Sequence, residues 1–133
     1  MTFKVGDSAS YTKTITEADI TLFIAVCGDT NPVHVDAVAA SKSRFGQRIA
    51  HGMIGASMIS TVLGTKVPGP GTVYLGQSLK FLAPVFIGDT ISATVTITKI
   101  RDDKPIFTLD TRVTNQDGNA VVEGEAVAML PTE

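Results

Sequence analysis

The sequence has 133 residues, of which 44% are hydrophobic and 18% charged, a composition typical of one folded domain and unlike that of a disordered chain. Its 11 basic and 13 acidic residues give a net charge of −2, so it lacks the positive field of a nucleic-acid-binding protein. The single cysteine, Cys27, excludes an intrachain disulfide framework and suits a reducing compartment. No run of about 18 apolar residues predicts a membrane span, and no signal peptide is evident. We therefore expect one cytoplasmic domain over residues 1–133.

A helix is predicted after an N-terminal strand near residues 8–15. Thr16 can cap this helix, with Asp19 three residues later in the capping-box position. Apolar residues then recur at helical spacing, at Ile20, Phe23, Ile24 and Cys27. Gly28 is expected to end the helix in the left-handed conformation.

Two further helices are predicted before the sequence changes its period. Asp36 can cap a short helix over residues 37–43, which Gly46 closes. A longer helix is predicted over residues 51–63, ending at Gly64. Its apolar side chains point in several directions, so we expect protein on nearly all of its sides.

From Thr72 onward the apolar period is two, as in half-buried strands. Alternation is clearest at Ile91, Ala93, Val95 and Ile97. Asp117 and Gly118 predict a hairpin turn between strands over residues 106–114 and 119–130. Strands near residues 8–15 and 73–83 bring the total to about five antiparallel strands. The predicted class is α+β, with a sheet wrapped around the long helix.

The segment from Gly28 to His34 carries the clearest candidate chemistry. Asp29 and His34 are separated by Pro32, which favours an extended Asn31 and predicts a loop rather than a further helical turn. Such a loop can direct the carboxylate and the imidazole into one cleft, where the pair can hold a water and exchange protons with it. Asn31 can orient one of them or fix the turn. The alternative is that Asp29 and Asn31 are turn residues and that His34 is structural.

The second candidate is the start of the long helix, at His51 and Gly52. Backbone N–H groups and the helix dipole form an oxyanion site there, and Gly52 lets a carbonyl approach closely. The alternative is that Gly52 relieves crowding while His51 caps or packs. A metal site built from His34, His51, Asp29 and Asp36 lacks compact ligand spacing, so no metal is predicted. A serine triad is disfavoured because no nucleophile-elbow motif is present.

Taken together, these segments resemble the MaoC-like hydratases, which carry the hydratase 2 motif and include the (R)-specific enoyl-CoA hydratases of the PhaJ type. The similarity is carried by Phe23-Ile24-Ala25-Val26-Cys27-Gly28-Asp29-Thr30-Asn31-Pro32-Val33-His34, by Ile49-Ala50-His51-Gly52-Met53 and by Tyr74–Val85. Asp103-Lys104-Pro105-Ile106 is also similar.

The resemblance implies a hot-dog fold, in which a five-stranded antiparallel sheet wraps a long central helix, and a homodimer with its active sites at the subunit interface. It implies that Asp29 and His34 are the catalytic pair, that Asn31 supports the loop or contacts the substrate, and that Gly52 gives its N–H to the thioester oxygen. The implied substrate is an acyl-CoA, hydrated reversibly at the double bond of a trans-2-enoyl group. No separate cofactor is implied, since coenzyme A is part of the substrate, and neither nucleic acid nor a membrane is an expected partner.

Helical spacing suggests residues for the acyl pocket, although core packing is the alternative. The candidates lie roughly on one face of the long helix: Met53, Ser57, Ser60 and Leu63. Surface cations are candidates for the coenzyme A phosphates: Lys42, Arg44, Arg48 and Lys80. Three rival functions remain open at this point, namely a hot-dog acyl-CoA thioesterase, a non-catalytic acyl-CoA-binding protein and an acyl-carrier-protein dehydratase.

Overall fold

A computed structural model describes residues 2–131, so Met1, Thr132 and Glu133 of the predicted domain lie outside the described residues. The helices are α1 (Glu17–Cys27), α2 (Pro32–Val35), α3 (Ala37–Ser41) and α4 (Gly52–Thr65). The strands are β1 (Ser8–Thr14), β2 (Val73–Gln77), β3 (Lys80–Phe81), β4 (Thr90–Ile100), β5 (Ile106–Thr114) and β6 (Ala120–Met129). No helix of the described residues is long and apolar enough to cross a membrane.

One antiparallel sheet contains all the strands, in the order β1-β4-β5-β6-β2, with β3 also paired to β6. The α+β prediction of a sheet around a long helix is therefore confirmed. The count of five strands is wrong, because the segment predicted as one strand over residues 73–83 is divided into β2 and β3. A register shift between Tyr74 and Gly76 starts the irregularity, and β3 resumes pairing with β6 at Lys80.

The core lies between α4 and the concave face of the sheet. Helix α4 contributes five apolar side chains to this core: Ile54, Met58, Ile59, Val62 and Leu63. Strand β4 contributes four: Ile91, Ala93, Val95 and Ile97. Alternate residues of β4 are buried, as its period of two predicts. Burial of each large apolar side chain in this set stabilises the fold by about 1.5–3 kcal/mol.

Several predicted boundaries agree with the structure, and several differ. Thr16 and Asp19 form the reciprocal capping box of α1, and Gly28 ends that helix with φ 76°. Cys27 is exposed instead of joining the apolar face. Helix α3 ends at Ser41, two residues early, where Lys42 closes it.

Helix α4 departs from prediction in its end and in its burial. It continues through Gly64 to Thr65, because Gly64 is not in the left-handed conformation that would end a helix. The helix is also not enclosed on nearly all sides within this chain: Met53, Ser57 and Ser60 are exposed along one stripe. That stripe borders the candidate site.

Candidate active site

The chain turns sharply after α1, and the turn fixes the side chain of Asp29. The Asn31 N–H donates to Oδ1 of Asp29 at 3.0 Å, forming an Asx turn. Asn31 is extended, as Pro32 requires, but Pro32 then begins the one-turn helix α2. The prediction of a loop that leaves α1 is confirmed for residues 28–31 and is wrong from Pro32 to His34, which lie in α2. Oδ1 of Asn31 accepts from the Val33 N–H at 3.3 Å, so its side chain caps α2.

His34 lies on α2 and is held from both its ring and its backbone. Its Nδ1 is 2.7 Å from the carbonyl oxygen of Ile49. Because a carbonyl oxygen can only accept, Nδ1 carries the hydrogen, and the Nε2 of the neutral ring is left with a lone pair. Arg48 donates from Nε to the His34 carbonyl at 2.7 Å and forms an ion pair with Glu17 at 2.8 Å.

The Asp29 carboxylate faces this lone pair. Oδ2 of Asp29 and Nε2 of His34 are 4.0 Å apart, too far for a direct hydrogen bond and close enough for one water to contact both. The Asp29 side chain is 51% exposed and that of His34 10%. The site therefore combines an accessible carboxylate with a fixed, nearly buried imidazole.

His51 packs directly against this pair. Its ring stacks on His34 with centroids 3.9 Å apart and 29° between the planes. Its Nε2 is 2.9 Å from the carbonyl oxygen of Asp29, so Nε2 carries the hydrogen and donates it. Although His51 occupies the N-cap position of α4, its side chain makes no capping bond. Of the two predicted roles for His51, it packs and does not cap.

Gly52 is the first residue of α4, where helix geometry leaves the N–H without an intrahelical acceptor. A Cβ at this position would lie 2.7 Å from Cδ1 of Phe81, a contact that no side chain tolerates without displacement. Gly52 and His34 line the same cavity. The structure thus brings a free N–H of a helix N-terminus to the cavity that contains the imidazole.

Two cavities flank α4, and Met53 lines both of them. The first has a volume of about 440 Å³ and is lined by His34, Gly52, Phe81 and a set of largely apolar residues. The second has about 460 Å³ and contains three of the predicted acyl-pocket residues: Met53, Ser57 and Ser60. Leu63 differs from these three. It is 1% exposed, packs in the core and lines neither cavity.

The four cations predicted for the coenzyme A phosphates have different surroundings in the structure. Arg48 is engaged by His34 and Glu17. Arg44 lines the first cavity and lies over the Phe45 ring at 4.9 Å. Lys42 and Lys80 are exposed.

Ligand atoms of Asp29, His34 and His51 lie within 4.8 Å of one another. The two rings are stacked, and each already uses one nitrogen on a backbone carbonyl. This geometry favours a hydrogen-bonded cluster over a metal centre. Asp36, the fourth predicted ligand, instead caps α3.

Sequence reasoning missed three contacts of this site. The Arg48–Glu17 pair joins residues 31 positions apart, and the bond from His51 to Asp29 joins residues 22 apart. Phe81 meets Gly52 from a different element. None of these pairs has a local pattern, so no motif or period in the sequence indicates them.

Comparison with known proteins gives one consistent result. An (R)-specific enoyl-CoA hydratase of Rhodospirillum rubrum is 53% identical over 128 residues, which cover 96% of this chain and 88% of that protein. A solved (R)-hydratase of Aeromonas caviae, described as involved in PHA biosynthesis, superposes with a TM-score of 0.94 at 46% identity and covers 97% of this chain and 98% of its own. The R-hydratase PhaJ1 of Pseudomonas aeruginosa gives 0.93 at 46% identity, covering 98% and 84%.

A family model agrees with these similarities. The MaoC like domain matches residues 4–119, which include the Asp29–His34 segment, α4 and most of the sheet. With this match over most of its length and with relatives at 46–53% identity, the chain belongs to the MaoC-like family.

Proposed function

We propose that this protein is an (R)-specific enoyl-CoA hydratase, a hydro-lyase that adds water reversibly to a trans-2-enoyl-CoA to give an (R)-3-hydroxyacyl-CoA. The observation that carries the proposal is the 4.0 Å gap between Oδ2 of Asp29 and Nε2 of His34. A hydration reaction needs one water held by groups that can take up and return a proton, and this gap fits such a water. The names of the similar proteins support the same reaction.

In this mechanism the water donates to the Asp29 carboxylate and to the lone pair on His34 Nε2. Its oxygen forms the new bond to C3 of the substrate while one O–H bond breaks, and the released proton passes to the pair. A proton from the pair then forms the C2–H bond on the same face. Asp29 and His34 end the cycle unchanged, so the net change is the addition of one water.

Charge develops on the thioester oxygen during this addition, and the N-terminus of α4 can stabilise it. The Gly52 N–H donates to that oxygen, and the dipole of the 14-residue helix adds a partial positive charge. Contacts of this type contribute about 2.7–4 kcal/mol to the transition state in well-studied enzymes. Asn31 acts on the site through its cap on α2 and its N–H to Asp29.

We propose that the rest of the substrate occupies the two cavities. The acyl chain occupies the second cavity, along Met53, Ser57 and Ser60, and coenzyme A approaches through the first cavity beside Arg44. Met53, which lines both, lies between the two parts of the ligand. Leu63 supports the acyl pocket from the core and does not line it. No separate cofactor or metal is required, because coenzyme A enters as part of the substrate.

The proposal includes a homodimer in the cytoplasm. Apolar side chains are exposed along the β2 and β3 segments, at Val73, Tyr74, Leu75, Phe81 and Leu82. A second copy of the chain would cover this surface and part of the cavities beside it. The exposed thiol of Cys27 would remain reduced in the cytoplasm. The proposal treats residues 1–133 as one domain.

The test is hydration of crotonyl-CoA by the purified protein, measured as loss of the enoyl-thioester absorbance. An (R)-specific dehydrogenase then reports the handedness of the product. Rapid loss with an (R) product supports the proposal, whereas an (S) product contradicts it. Release of free thiol from an acyl-CoA would instead indicate a thioesterase, and turnover confined to acyl-carrier-protein substrates would indicate a dehydratase acting on that carrier.

A further inference from the structure

His51 contacts both members of the proposed catalytic pair without lining either cavity beside α4. It is 3% exposed, and its Nε2–H donates to the backbone carbonyl of Asp29. Its ring stacks on the ring of His34 and also contacts the ring of Phe23 in α1, with the His51 and Phe23 centroids 5.1 Å apart. It is thus enclosed between α1 and the one-turn helix α2, at the junction from which both reactive groups project.

The second ring nitrogen of His51 shows that packing alone does not account for this residue. Nδ1 is buried and has no hydrogen-bond partner among the described residues. An unpaired buried acceptor destabilises a fold, and a phenyl ring of similar size would stack on His34 without that cost. What the phenyl ring would lack is the N–H that reaches Asp29.

We propose that His51 is a positioning residue that fixes the distance between Asp29 and His34, with its Nε2–H holding the Asp29 backbone and its ring supporting the His34 imidazole. This inference rests on the proposed function. The Asp29 side chain is exposed and its backbone follows the left-handed Gly28, so the bond from His51 ties the carboxylate segment to the start of α4. A displacement of about 1 Å in a reacting group can lower a rate about 10²-fold.

Two substitutions separate the contributions of the bond and the ring. His51→Gln keeps an N–H at the position of Nε2 and loses the ring, whereas His51→Phe keeps the ring and loses the N–H. We expect His51→Phe to lower kcat about 10²-fold with little change in KM. We expect His51→Gln to keep kcat within about fivefold of the wild type, since only the stacking contact is lost. Thermal melting of both variants gives the stability control.

A ¹⁵N spectrum of the imidazoles tests the geometry without relying on activity. The sequence has two histidines, so either His51 variant leaves His34 alone and assigns both signals. In the wild type we expect the hydrogen on Nδ1 of His34 and on Nε2 of His51. A hydrogen on Nδ1 of His51 with none on Nε2 would overturn the inference, because Nε2 could not then donate to the Asp29 carbonyl.

The kinetic results also test whether His51 positions Asp29 and His34. A His51→Phe variant with wild-type kcat overturns the inference, as does equal loss of kcat in both variants accompanied by equal loss of melting temperature, which would show packing alone. A wild-type protein inactive on every enoyl-CoA contradicts the proposed function instead. The spectrum then decides about His51 by itself, with a hydrogen on Nε2 supporting its contact with Asp29.

Discussion

The two ends of the sheet are built differently. At one end β1 pairs with β4 over seven residues without a break in register. Four pairs of hydroxyl side chains follow the outer face of this pairing at 2.7–3.1 Å: Ser8 with Thr96, Ser10 with Thr94, Thr12 with Ser92 and Thr14 with Thr90. Hydrogen bonds between hydroxyl side chains therefore connect β1 and β4 on this face.

At the other end β6 pairs along its edge with two short strands, β2 and β3, which are separated by a break in the pairing. The break brings the carbonyl of Ser78 over Gly124 so closely that a Cβ on Gly124 would lie 1.8 Å from its oxygen. Apolar side chains are exposed here, and the two cavities open beside this segment. The proposed site therefore lies where regular strand pairing stops. The regular end contributes stability, while the irregular end leaves the space and the apolar surface that an acyl-CoA requires.

The largest expected effect at the irregular end is on the chemistry. Asp29→Asn keeps the size of the side chain and removes the carboxylate that faces His34, so we expect kcat for crotonyl-CoA to fall about 10²–10⁴-fold. Asp110→Asn on the exposed face of β5 makes the same chemical change away from the site and should leave kcat unchanged. Near-normal turnover by Asp29→Asn, with circular dichroism showing a native fold, would contradict the assigned chemistry.

The next effect is on folding at the break between β2 and β3. Gly124→Ala forces a methyl group against the backbone oxygen of Ser78, and backbone on both sides must move. We expect a loss of about 3 kcal/mol and a melting temperature lower by about 10 °C.

Gly64→Ala is the matched control for this change. No atom lies within 4 Å of a Cβ at Gly64, which sits inside α4, so alanine there should stabilise the protein by about 0.5–1 kcal/mol. A Gly124→Ala variant that melts at or above the wild-type temperature would show that the close approach of Ser78 is not required.

The strands β4, β5 and β6 could be predicted from the sequence, and the division of the irregular end into β2 and β3 could not. Alternation along β4 and the Asp117-Gly118 turn predict β4, β5 and β6, because period and turn chemistry are local. The division into β2 and β3 depends on how Ser78 meets Gly124, a contact between residues 46 positions apart in sequence. Local patterns carry no information about such a contact.

The candidate site divides in the same way. Local motifs predict Asp29, His34 and Gly52 as site residues, and the structure brings His34 and Gly52 to one cavity with the Asp29 carboxylate 4.0 Å from the imidazole. The tautomer of His34 depends on Ile49, and the bond to Asp29 depends on His51. Leu63 has the same helical spacing as the pocket residues but is buried in the core, because ten residues at about 100° each turn it about 80° away from Met53 around the helix axis.

The smallest expected effect lies where α1 meets the regular edge. Burial acts to raise the pKa of Asp19, but hydrogen bonds from Thr16 and the Lys13 ammonium of β1, 3.0 Å away, outweigh it and hold that pKa below its usual 3.8. A carboxyl with a lowered pKa in the folded state stabilises the fold above its unfolded pKa and loses that contribution as the pH falls through the folded value. Asp19→Asn should therefore cost about 1 kcal/mol at pH 7, a difference that shrinks as the pH falls below 3.8.

Melting curves of the wild type and Asp19→Asn from pH 7 to pH 2.5 measure this convergence. Asp103→Asn is the control, since the hydrogen bond from Arg101 also lowers the pKa of Asp103, but that pair lies in an exposed turn and joins residues two positions apart. Removal of the Asp103 carboxylate should lower the melting temperature at pH 7 less than Asp19→Asn does, because an exposed local ion pair contributes little to folding. Equal effects of the two substitutions at pH 7 would show that the link from α1 to β1 adds nothing to the regular edge beyond a surface charge pair.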